Sequence, residues 1–282
     1  MQEENKWTTI IKSKNGWFDI NLKELVQYKD LIFLFVKRNY TSRYKQTILG
    51  PLWLVFNPLI TTVLYSIIFG NIAGLAAEGV PQVTFYLASN AIWSFFASCL
   101  NQTATTFTTN ADLFGKIYFP RLTTPISTVI TSMLDILIQL GLLIIIMVVY
   151  TCLGWHFQIG AELVLIPVLI VQVALLALGF GIIISSLTTK YRDLAILVTF
   201  GVQLWMYASP VVYTLSIVPK KYRNLYLLNP MAPIITLFRH SVLGVEEAPY
   251  AMWGVSWITT IVVLAIGVII FNKVEKSFMD TV

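Results

Sequence analysis

The charged residues that border or enter apolar sequence define the chemistry open to this chain. Arg43 and Lys45 precede a long apolar run in the stretch RYKQTILGPLWLVFNPLI, and Asp135 lies well inside another apolar run. Cations at a membrane boundary anchor a helix or attract a phosphate, whereas a carboxylate inside a membrane is a proton relay or a hydrogen-bonded structural group. For Asp135 we expect the structural role, in which it is either neutral or hydrogen-bonded to polar neighbours such as Ser132 or Gln139 and to a facing helix.

The sequence carries no motif of a catalytic site. Gly115-Lys116 is followed by Ile117, so no GxxxxGK[ST] phosphate loop is present, and no Ser/His/Asp set, metal cluster or dinucleotide fingerprint occurs. Cys99 and Cys152 are far apart and are interpreted as apolar thiols. We therefore expect a chain that is not an enzyme and binds no cofactor itself, with the energy for any transport coming from a separate ATPase.

Composition places these residues in a membrane. Of the 282 residues 57% are hydrophobic and only 12% are charged, against about 25% charged residues in soluble domains. A crossing helix needs about twenty apolar residues. The sequence predicts an all-α integral membrane protein with an N-terminal segment over 1–50 and one domain over 51–282. Its six predicted spans are 51–71, 83–107, 125–150, 162–187, 194–215 and 250–271.

The distribution of Lys and Arg predicts the orientation. Fifteen of the nineteen lie before the first span, between spans two and three, between spans four and five, or after span six. The other four lie between spans five and six. Because Lys and Arg are in excess on the cytoplasmic side, both termini are expected inside. The net charge of +5 is therefore a topology signal, and we expect no nucleic-acid partner.

Two segments outside the spans are long enough to form helices but not to cross the membrane. The segment from Trp17 to Tyr40 places Trp17, Phe18 and Leu22 on one face, which predicts an amphipathic helix in the interface, either a simple anchor or a docking surface for a cytoplasmic partner. The outer segment 218–244 contains two apolar pieces of about ten residues, or about 15 Å of helix each. These are either re-entrant half-helices or a loop on the surface.

Aromatic residues are frequent in the spans. Trp and Tyr at membrane boundaries and Phe facing lipid are ordinary features. Rings with a polar tip also stack on sugars and donate hydrogen bonds, as a wide path for a glycan requires. The residues to which we assign this channel role are Trp53, Phe56, Tyr86, Trp93, Trp205, Tyr207 and Tyr213.

Four stretches resemble one family in the same order. They are RYKQTILGPLWLVFNPLI, NADLFGKIYFPRLTTP, YRDL and LNPMAPIITLFRHSVLG, and the similarity extends from about residue 30 to 273. The chain is similar to the membrane subunits of ABC exporters for lipid-linked polysaccharides, which include O-antigen, teichoic-acid and capsule permeases. The resemblance implies a multi-pass protein of the bacterial cytoplasmic membrane, and O-antigen is the first expectation for its substrate.

The resemblance also implies partners and residue roles. It implies a homodimer with two copies of an ATPase that binds ATP and magnesium, and a channel between the two permeases for a glycan on a polyprenyl diphosphate. The amphipathic helix would also touch the ATPase. Arg43 and Lys45 would attract the diphosphate, although a role as topology anchors stays open. The coupling helix seated in the ATPase would contain Leu113, Lys116, Phe119, Pro120 and Arg121. The outer gate would contain Asn229, Pro230 and Arg239.

Two other functions are compatible with the sequence. An exporter of drugs or small lipids would share the same architecture, and a neighbourhood of glycosyltransferase genes would distinguish the polysaccharide exporter from it. An ion-coupled carrier or a membrane-embedded enzyme would place Asp135 at its centre and would co-purify with no ATPase. Ion-coupled transporters use buried ionisable residues, and these are sparse in the predicted spans.

Overall fold

Five helices of the computed structural model are long and apolar enough to cross a membrane. The structure describes residues 22–45, 47–75, 79–158, 160–191, 193–226 and 228–278, and these residues form helices and connecting turns without a strand. The five segments are Gly50–Ile72, Gln82–Ala104, Thr123–Cys152, Ala161–Thr188 and Tyr250–Val274. The prediction of an all-α integral membrane protein is confirmed, and these segments agree with predicted spans one to four and six.

The α-helices are numbered in chain order. The N-terminal part contains α1 (Leu22–Gln27) and α2 (Lys29–Tyr44), followed by α3 (Trp53–Tyr65) in the first span. The middle contains α4 (Gln82–Ala104), α5 (Thr106–Thr109), α6 (Ala111–Lys116), α7 (Thr123–Cys152) and α8 (Ile166–Thr188). The C-terminal part contains α9 (Leu194–Tyr207), α10 (Lys220–Tyr226), α11 (Met231–Leu243) and α12 (Tyr250–Phe278).

The first span has an irregular turn at each end. It begins with a 3₁₀ turn, Gly50–Leu52, in which Pro51 occupies the first turn and Gly50 has a φ of 49°. Proline is well tolerated there because its missing N–H has no partner within the helix. The span ends with a π-helical segment, Ser66–Ile72. The sequence predicted the helix and the position of Pro51 but gave no signal for the π-helix.

The fifth predicted span is shorter than expected. The sequence predicted a helix over 194–215, but α9 ends at Tyr207 and turns follow over 208–213. Its 14 residues extend about 21 Å, less than the apolar thickness of a bilayer. Pro210 explains the end of the helix because it lacks an N–H and disfavours helical backbone at the residue before it. The predicted helix was therefore too long by eight residues.

The outer segment contains one short exposed helix and one short buried helix. Tyr222 and Leu225 of α10 are exposed, whereas twelve of the thirteen residues of α11 are buried. At 13 residues α11 is about 20 Å long, so it cannot cross a bilayer alone. It packs against α4, α8 and α12, inside the helix assembly.

Close helix crossings fix the centre of the fold. A Cβ atom on Gly179 of α8 would lie 2.9 Å from the backbone N of Leu264, and one on Gly267 of α12 would lie 2.8 Å from the carbonyl O of Gly179. Small residues allow membrane helices to approach this closely. The neighbouring α4 packs against α3, α7, α8 and α11, so it is the central span on which the candidate site is built.

Aromatic packing attaches α2 to the membrane helices. Phe35 of α2 packs edge-on to Phe119, with ring centroids 5.6 Å apart, in a buried cluster that also holds Phe107, Phe114 and Phe271. On the opposite side of α2, Phe33 is exposed. Trp17 and Phe18 of the predicted amphipathic helix lie outside the described residues, and the placement of this segment in the interface stays a prediction.

Candidate functional site

Arg43 and Asp135 meet at one end of the helix assembly. Arg43 lies on α2, and its Nη1 contacts Oδ2 of Asp135 on α7, while its Nη2 donates a hydrogen bond to Oε1 of Gln102 on α4. The Tyr44 hydroxyl donates to the other oxygen of Asp135 over 3.4 Å. Gln102 Nε2 in turn donates to Ser98 Oγ over 2.6 Å. A single guanidinium thus connects three helices.

The partner of Asp135 thus lies on a facing helix, as expected, but neither Ser132 nor Gln139 is bound to the carboxylate. Gln139 accepts a hydrogen bond from Ser94 instead, over 3.0 Å, and the carboxylate is bound by α2. Burial lowers the pKa of Arg43, but the Asp135 carboxylate more than compensates, so its pKa lies above the ordinary value. The guanidinium is therefore charged at every physiological pH and neutralises a carboxylate that apolar helices otherwise surround.

The segment between α5 and α7 has a buried side and an exposed side. Phe114 and Phe119 are buried in the aromatic cluster, and the Arg121 guanidinium lies 5.6 Å from the centroid of the Phe114 ring. Pro120 is partly buried next to Phe119, and Leu113 also packs against the cluster. The exposed side of the segment includes Lys116, Ile117 and Tyr118, and of these only Lys116 was predicted from the sequence.

Asn229 connects the end of α9 to the start of α11. Its Oδ1 accepts hydrogen bonds from Trp205 Nε1 and from the Met231 backbone N–H, both over 3.1 Å. Its Nδ2 donates to the Ala208 carbonyl over 3.1 Å and to Ser209 Oγ over 2.9 Å. One amide thus holds the turn after α9 and accepts a hydrogen bond from the first N–H of α11. Two residues that the sequence assigned to separate roles, Trp205 and Asn229, are direct partners.

Trp205 is surrounded by aromatic rings of the central helices. Its ring packs nearly perpendicular to those of Phe96 and Phe180, with centroid distances of 5.2 and 5.4 Å. Trp93 approaches it edge-on at 6.2 Å. These contacts and the Asn229 hydrogen bond fix the orientation of the indole. Trp205 and Trp93 therefore lie together inside one chain.

Arg239 of α11 is buried completely and is held on several sides. Its Nη1 donates to the Pro210 and Tyr213 carbonyls over 2.7 and 3.2 Å and to Ser89 Oγ over 3.2 Å. Its Nη2 lies 2.7 Å from Oε2 of Glu246, a residue that the sequence analysis did not select. Unpaired buried charge is costly, so this set of partners keeps the cation inside.

Glu246 ties this buried cation to the turn after α9. Its Oε1 accepts a hydrogen bond from the Leu215 backbone N–H over 2.9 Å. Its backbone has a φ of 62°, which is uncommon for a residue with a side chain and indicates that the surrounding contacts impose this conformation. Ser256 of α12 donates to the Pro230 carbonyl over 2.7 Å, so both ends of α11 are anchored.

Comparison with known proteins identifies the family. The ABC-2 type transporter model matches residues 30–243 of this chain. The chain belongs to the ABC-2 type transporter family. It is 28% identical over 255 residues to an O-antigen export system permease protein RfbA of Klebsiella pneumoniae, with 89% of this chain and 94% of that protein covered. A permease of the same name from Myxococcus xanthus is 27% identical over 269 residues, with 93% and 98% covered.

A relative named for a different substrate is also similar. The polysialic acid transport protein KpsM of Escherichia coli is 25% identical over 253 residues, covering 86% of this chain and 93% of that protein. The matches extend over nearly the full length of these relatives. The chain is thus an ABC-2 permease subunit with homologues among polysaccharide export permeases, as the resemblance in its sequence predicted.

The aromatics assigned to a channel fall into two groups in the ABC-2 permease. Tyr86 and Trp93 are buried inside the chain, whereas the others are partly or well exposed. Tyr213 is partly buried, and its hydroxyl pairs with that of Tyr226. The three exposed ones, at 43 to 50% of their side-chain surface, are Trp53, Phe56 and Tyr207. One chain does not bring the seven residues to a common surface, and their channel role stays a prediction.

Replacing Asn229 should destabilise the folded permease more than replacing Trp205, its hydrogen-bond partner. In Asn229→Ala the Met231 N–H and the Ala208 carbonyl lose their partner, which should lower the free energy of unfolding by about 2 kcal/mol. Trp205→Phe keeps the ring packing and loses one hydrogen bond, which corresponds to about 1 kcal/mol. SDS titration in detergent micelles measures both losses of stability. Unfolding is detected as dye labelling of Cys99, which is buried in the folded chain, in a Cys152→Ser background.

The matched control is Tyr207→Phe, which removes a hydroxyl from an exposed ring on the same helix and should leave the titration midpoint unchanged. Equal midpoints for Asn229→Ala and Tyr207→Phe would contradict the role of Asn229 as the connection between α9 and α11.

Proposed function

We propose that this ABC-2 permease exports a lipid-linked polysaccharide of the O-antigen class, on a polyprenyl diphosphate, across the bacterial cytoplasmic membrane. The observation that supports this most is the near full-length similarity to O-antigen export permeases from two organisms. The chain lacks a nucleotide-binding loop, so ATP and magnesium act on it through a separate ATPase. A polysaccharide cannot cross lipid unaided because its hydroxyls lose their hydrogen bonds to water.

Depletion of the permease in its host tests this function. If the cell makes no other exporter for the same glycan, the proposal expects lipid-linked polysaccharide to accumulate on the cytoplasmic side while the surface is bare. Normal surface glycan after depletion would remove polysaccharide export from consideration. Export of drugs or small lipids would then be the alternative to measure.

The proposed assembly is a homodimer with two copies of the ATPase and a channel between the permeases. Surface aromatics on α3 and α9 support a passage between copies. Trp53, Phe56 and Tyr207 are exposed on the single chain. Their amphipathic rings suit contact with sugar, and in a dimer they are available to a shared lumen. Chemical crosslinking of the purified permease measures the number of copies.

The proposed topology has six crossings, with both termini in the cytoplasm. The Lys and Arg before the first span and after the last span support an arrangement with both ends on one side, which requires an even number of crossings. Five come from the long helices. We assign the sixth to α9 together with the residues that follow it to Ile217, and we assign α11 to a re-entrant position on the outer side, where protein contacts satisfy its ends.

The turn at Lys116 and Ile117 is the proposed contact with the ATPase. It is exposed, and its base is fixed by Phe114 and Phe119, so a push on the tip is transmitted to α2, α8 and α12, which share this cluster. A rigid base is required because a flexible joint would absorb the movement. Interfaces are built around exposed apolar residues, and Ile117 provides one, with 58% of its surface exposed.

Charge at this tip should uncouple transport from ATP hydrolysis. The double variant Lys116→Glu/Ile117→Asp should lower glycan export at least about tenfold, equivalent to about 1.4 kcal/mol at the interface, while the permease still inserts and folds. Lys221→Glu, an exposed charge reversal on α10, is the matched control and should export normally. Export and permease-stimulated ATP hydrolysis are measured together, and full activity of the double variant would place the ATPase contact elsewhere.

A further inference from the structure

A polar cavity lies beside the Arg43 cluster, at one boundary of the membrane helices. It is open on one side, has a volume of about 290 Å³ and is lined by α2, the residues that end α4 and α5, and the first turns of α7. All ten lining residues are polar: five carry hydroxyls, three carry amides and two are arginines. Its wall contains no carboxylate. In a chain that is 57% hydrophobic, such a lining indicates a site for a polar or charged ligand.

The two arginines of the cavity differ in their partners. Arg43 is neutralised by Asp135, which lies behind the wall. The Arg38 side chain instead bonds to neutral amide oxygens, Asn39 Oδ1 over 3.2 Å and Asn110 Oδ1 over 3.3 Å. No carboxylate forms a salt bridge with Arg38 in the described part of the chain. The cavity therefore has one compensated and one uncompensated positive charge.

The lining chemistry fits a phosphate group. A guanidinium offers several N–H donors in a plane that match phosphate oxygens, and hydroxyls on the facing wall donate to the remaining oxygens. Here Ser42 on α2 and Thr109 on α5 supply such hydroxyls, whereas those of Thr105 and Thr128 already donate to the carbonyls of Gln102 and Thr124. A metal cation fits less well because the cavity carries two arginines and no carboxylate to bind it.

The position of the cavity favours a ligand attached to a lipid. Thr105 directly follows the second span, and Thr124 of the wall lies at the start of the third. A headgroup held there is at the edge of the apolar layer, so its chain can extend along the helices. A free phosphate ion offers the same oxygens without the chain. The two sources are separated by experiment below.

We infer that this cavity binds the phosphate or diphosphate headgroup of the lipid-linked substrate, with Arg38 as its main anchor. The inference rests on the proposed function for the identity of the lipid. Arg43 has a different task, since its ion pair with Asp135 fixes the wall of the cavity. Lys45 is exposed and does not line it. The sequence led us to expect that Arg43 and Lys45 attract the diphosphate. In this proposal Arg38 is the binding residue instead.

The test uses the full permease in nanodiscs of neutral phosphatidylcholine. Binding of radiolabelled undecaprenyl diphosphate is measured for the unaltered chain and for three variants. Arg38→Gln removes the uncompensated charge and should weaken binding at least about tenfold. Ser42→Leu narrows the cavity at constant charge and should weaken binding as well. Lys37→Gln removes an exposed positive charge from the neighbouring position of α2, outside the cavity, and should bind normally.

Two competitors identify the source of the phosphate. Undecaprenol, which has the chain without the phosphate, should not displace the labelled lipid. Inorganic pyrophosphate should displace it only at concentrations far above that of the lipid, because it lacks the chain. If pyrophosphate competes as well as unlabelled lipid does, the site belongs to a soluble ion and the assignment to a lipid headgroup is overturned.

Equal loss of binding in Arg38→Gln and Lys37→Gln would overturn the site itself, since it would show attraction to surface charge alone. This failure is distinguishable from failure of the proposed function. An Arg38→Gln permease that binds the lipid normally while depletion of the unaltered chain still blocks surface glycan refutes only the cavity. Phosphate-dependent lipid binding in nanodiscs, together with surface glycan that is unaffected by depletion of the permease in its host, refutes only polysaccharide export.

Discussion

Arg239→Met should be among the most destabilising single substitutions in this permease. The side chain is completely buried, and its removal leaves Glu246, the Pro210 carbonyl and the Tyr213 carbonyl without their cation. Removing one partner of a buried ion pair costs about 3–5 kcal/mol because the other charge stays buried and unpaired. Labelling of Cys99 during SDS titration, in the Cys152→Ser background, measures the loss.

Two further variants identify the cause of this loss. Arg239→Met/Glu246→Gln removes both charges, so it should be more stable than Arg239→Met alone. Lys221→Met removes an exposed cation from the same outer segment and should have no effect on the midpoint. If Arg239→Met unfolded at the same SDS concentration as the unaltered chain, α11 could not be held to the turn after α9 in the way described.

The second large effect concerns Asp135. Asp135→Leu leaves Arg43 without its carboxylate, and since 28% of the Arg43 side-chain surface is exposed, water compensates in part. The expected loss of unfolding free energy is about 2 kcal/mol, below the range for fully buried pairs. Arg43→Met should cost a similar amount. A double-mutant cycle should give a coupling energy of about 1–2 kcal/mol, whereas Lys45→Met should cost nothing measurable.

Transport by the same variants separates the structural role from a proton relay. If the ion pair is the only role of Asp135, the double variant Asp135→Asn/Arg43→Gln should assemble and retain export. The two amides replace the charges and keep a hydrogen bond. A relay requires the carboxylate itself and would lose transport in this double variant at normal stability. That outcome, with a coupling energy near zero, would restore the interpretation of Asp135 as a proton site.

Much of the fold could be predicted because composition and periodicity depend on the bilayer. Twenty apolar residues in a row have few alternatives to a spanning helix, so five spans were located to within a few residues. The error at α9 has a local cause. The apolar run continues past Tyr207, but Pro210 ends the helix, and hydropathy does not register a missing N–H donor.

The partners of the buried charges could not be predicted, because they depend on which helices pack together. Arg43 and Asp135 are separated by 92 positions in the chain, and only the contact of α2 with α7 brings them together. Arg239 was interpreted as one of the outer cations, although its burial on α11 removes it from contact with solvent. Glu246 gave no signal, since a carboxylate beside Glu247 in a loop is ordinary in sequence.

Movement of a lipid-linked glycan across a sealed membrane tests the central proposal most directly. The permease and the ATPase that co-purifies with it are reconstituted into inverted proteoliposomes that carry a labelled polyprenyl diphosphate glycan in the outer leaflet. An added glycosidase reports how much glycan is still outside. We predict that the glycan becomes protected from the glycosidase when ATP and magnesium are supplied. With a hydrolysis-deficient ATPase it should not become protected. Glycan that stays fully accessible beside an active ATPase would contradict it.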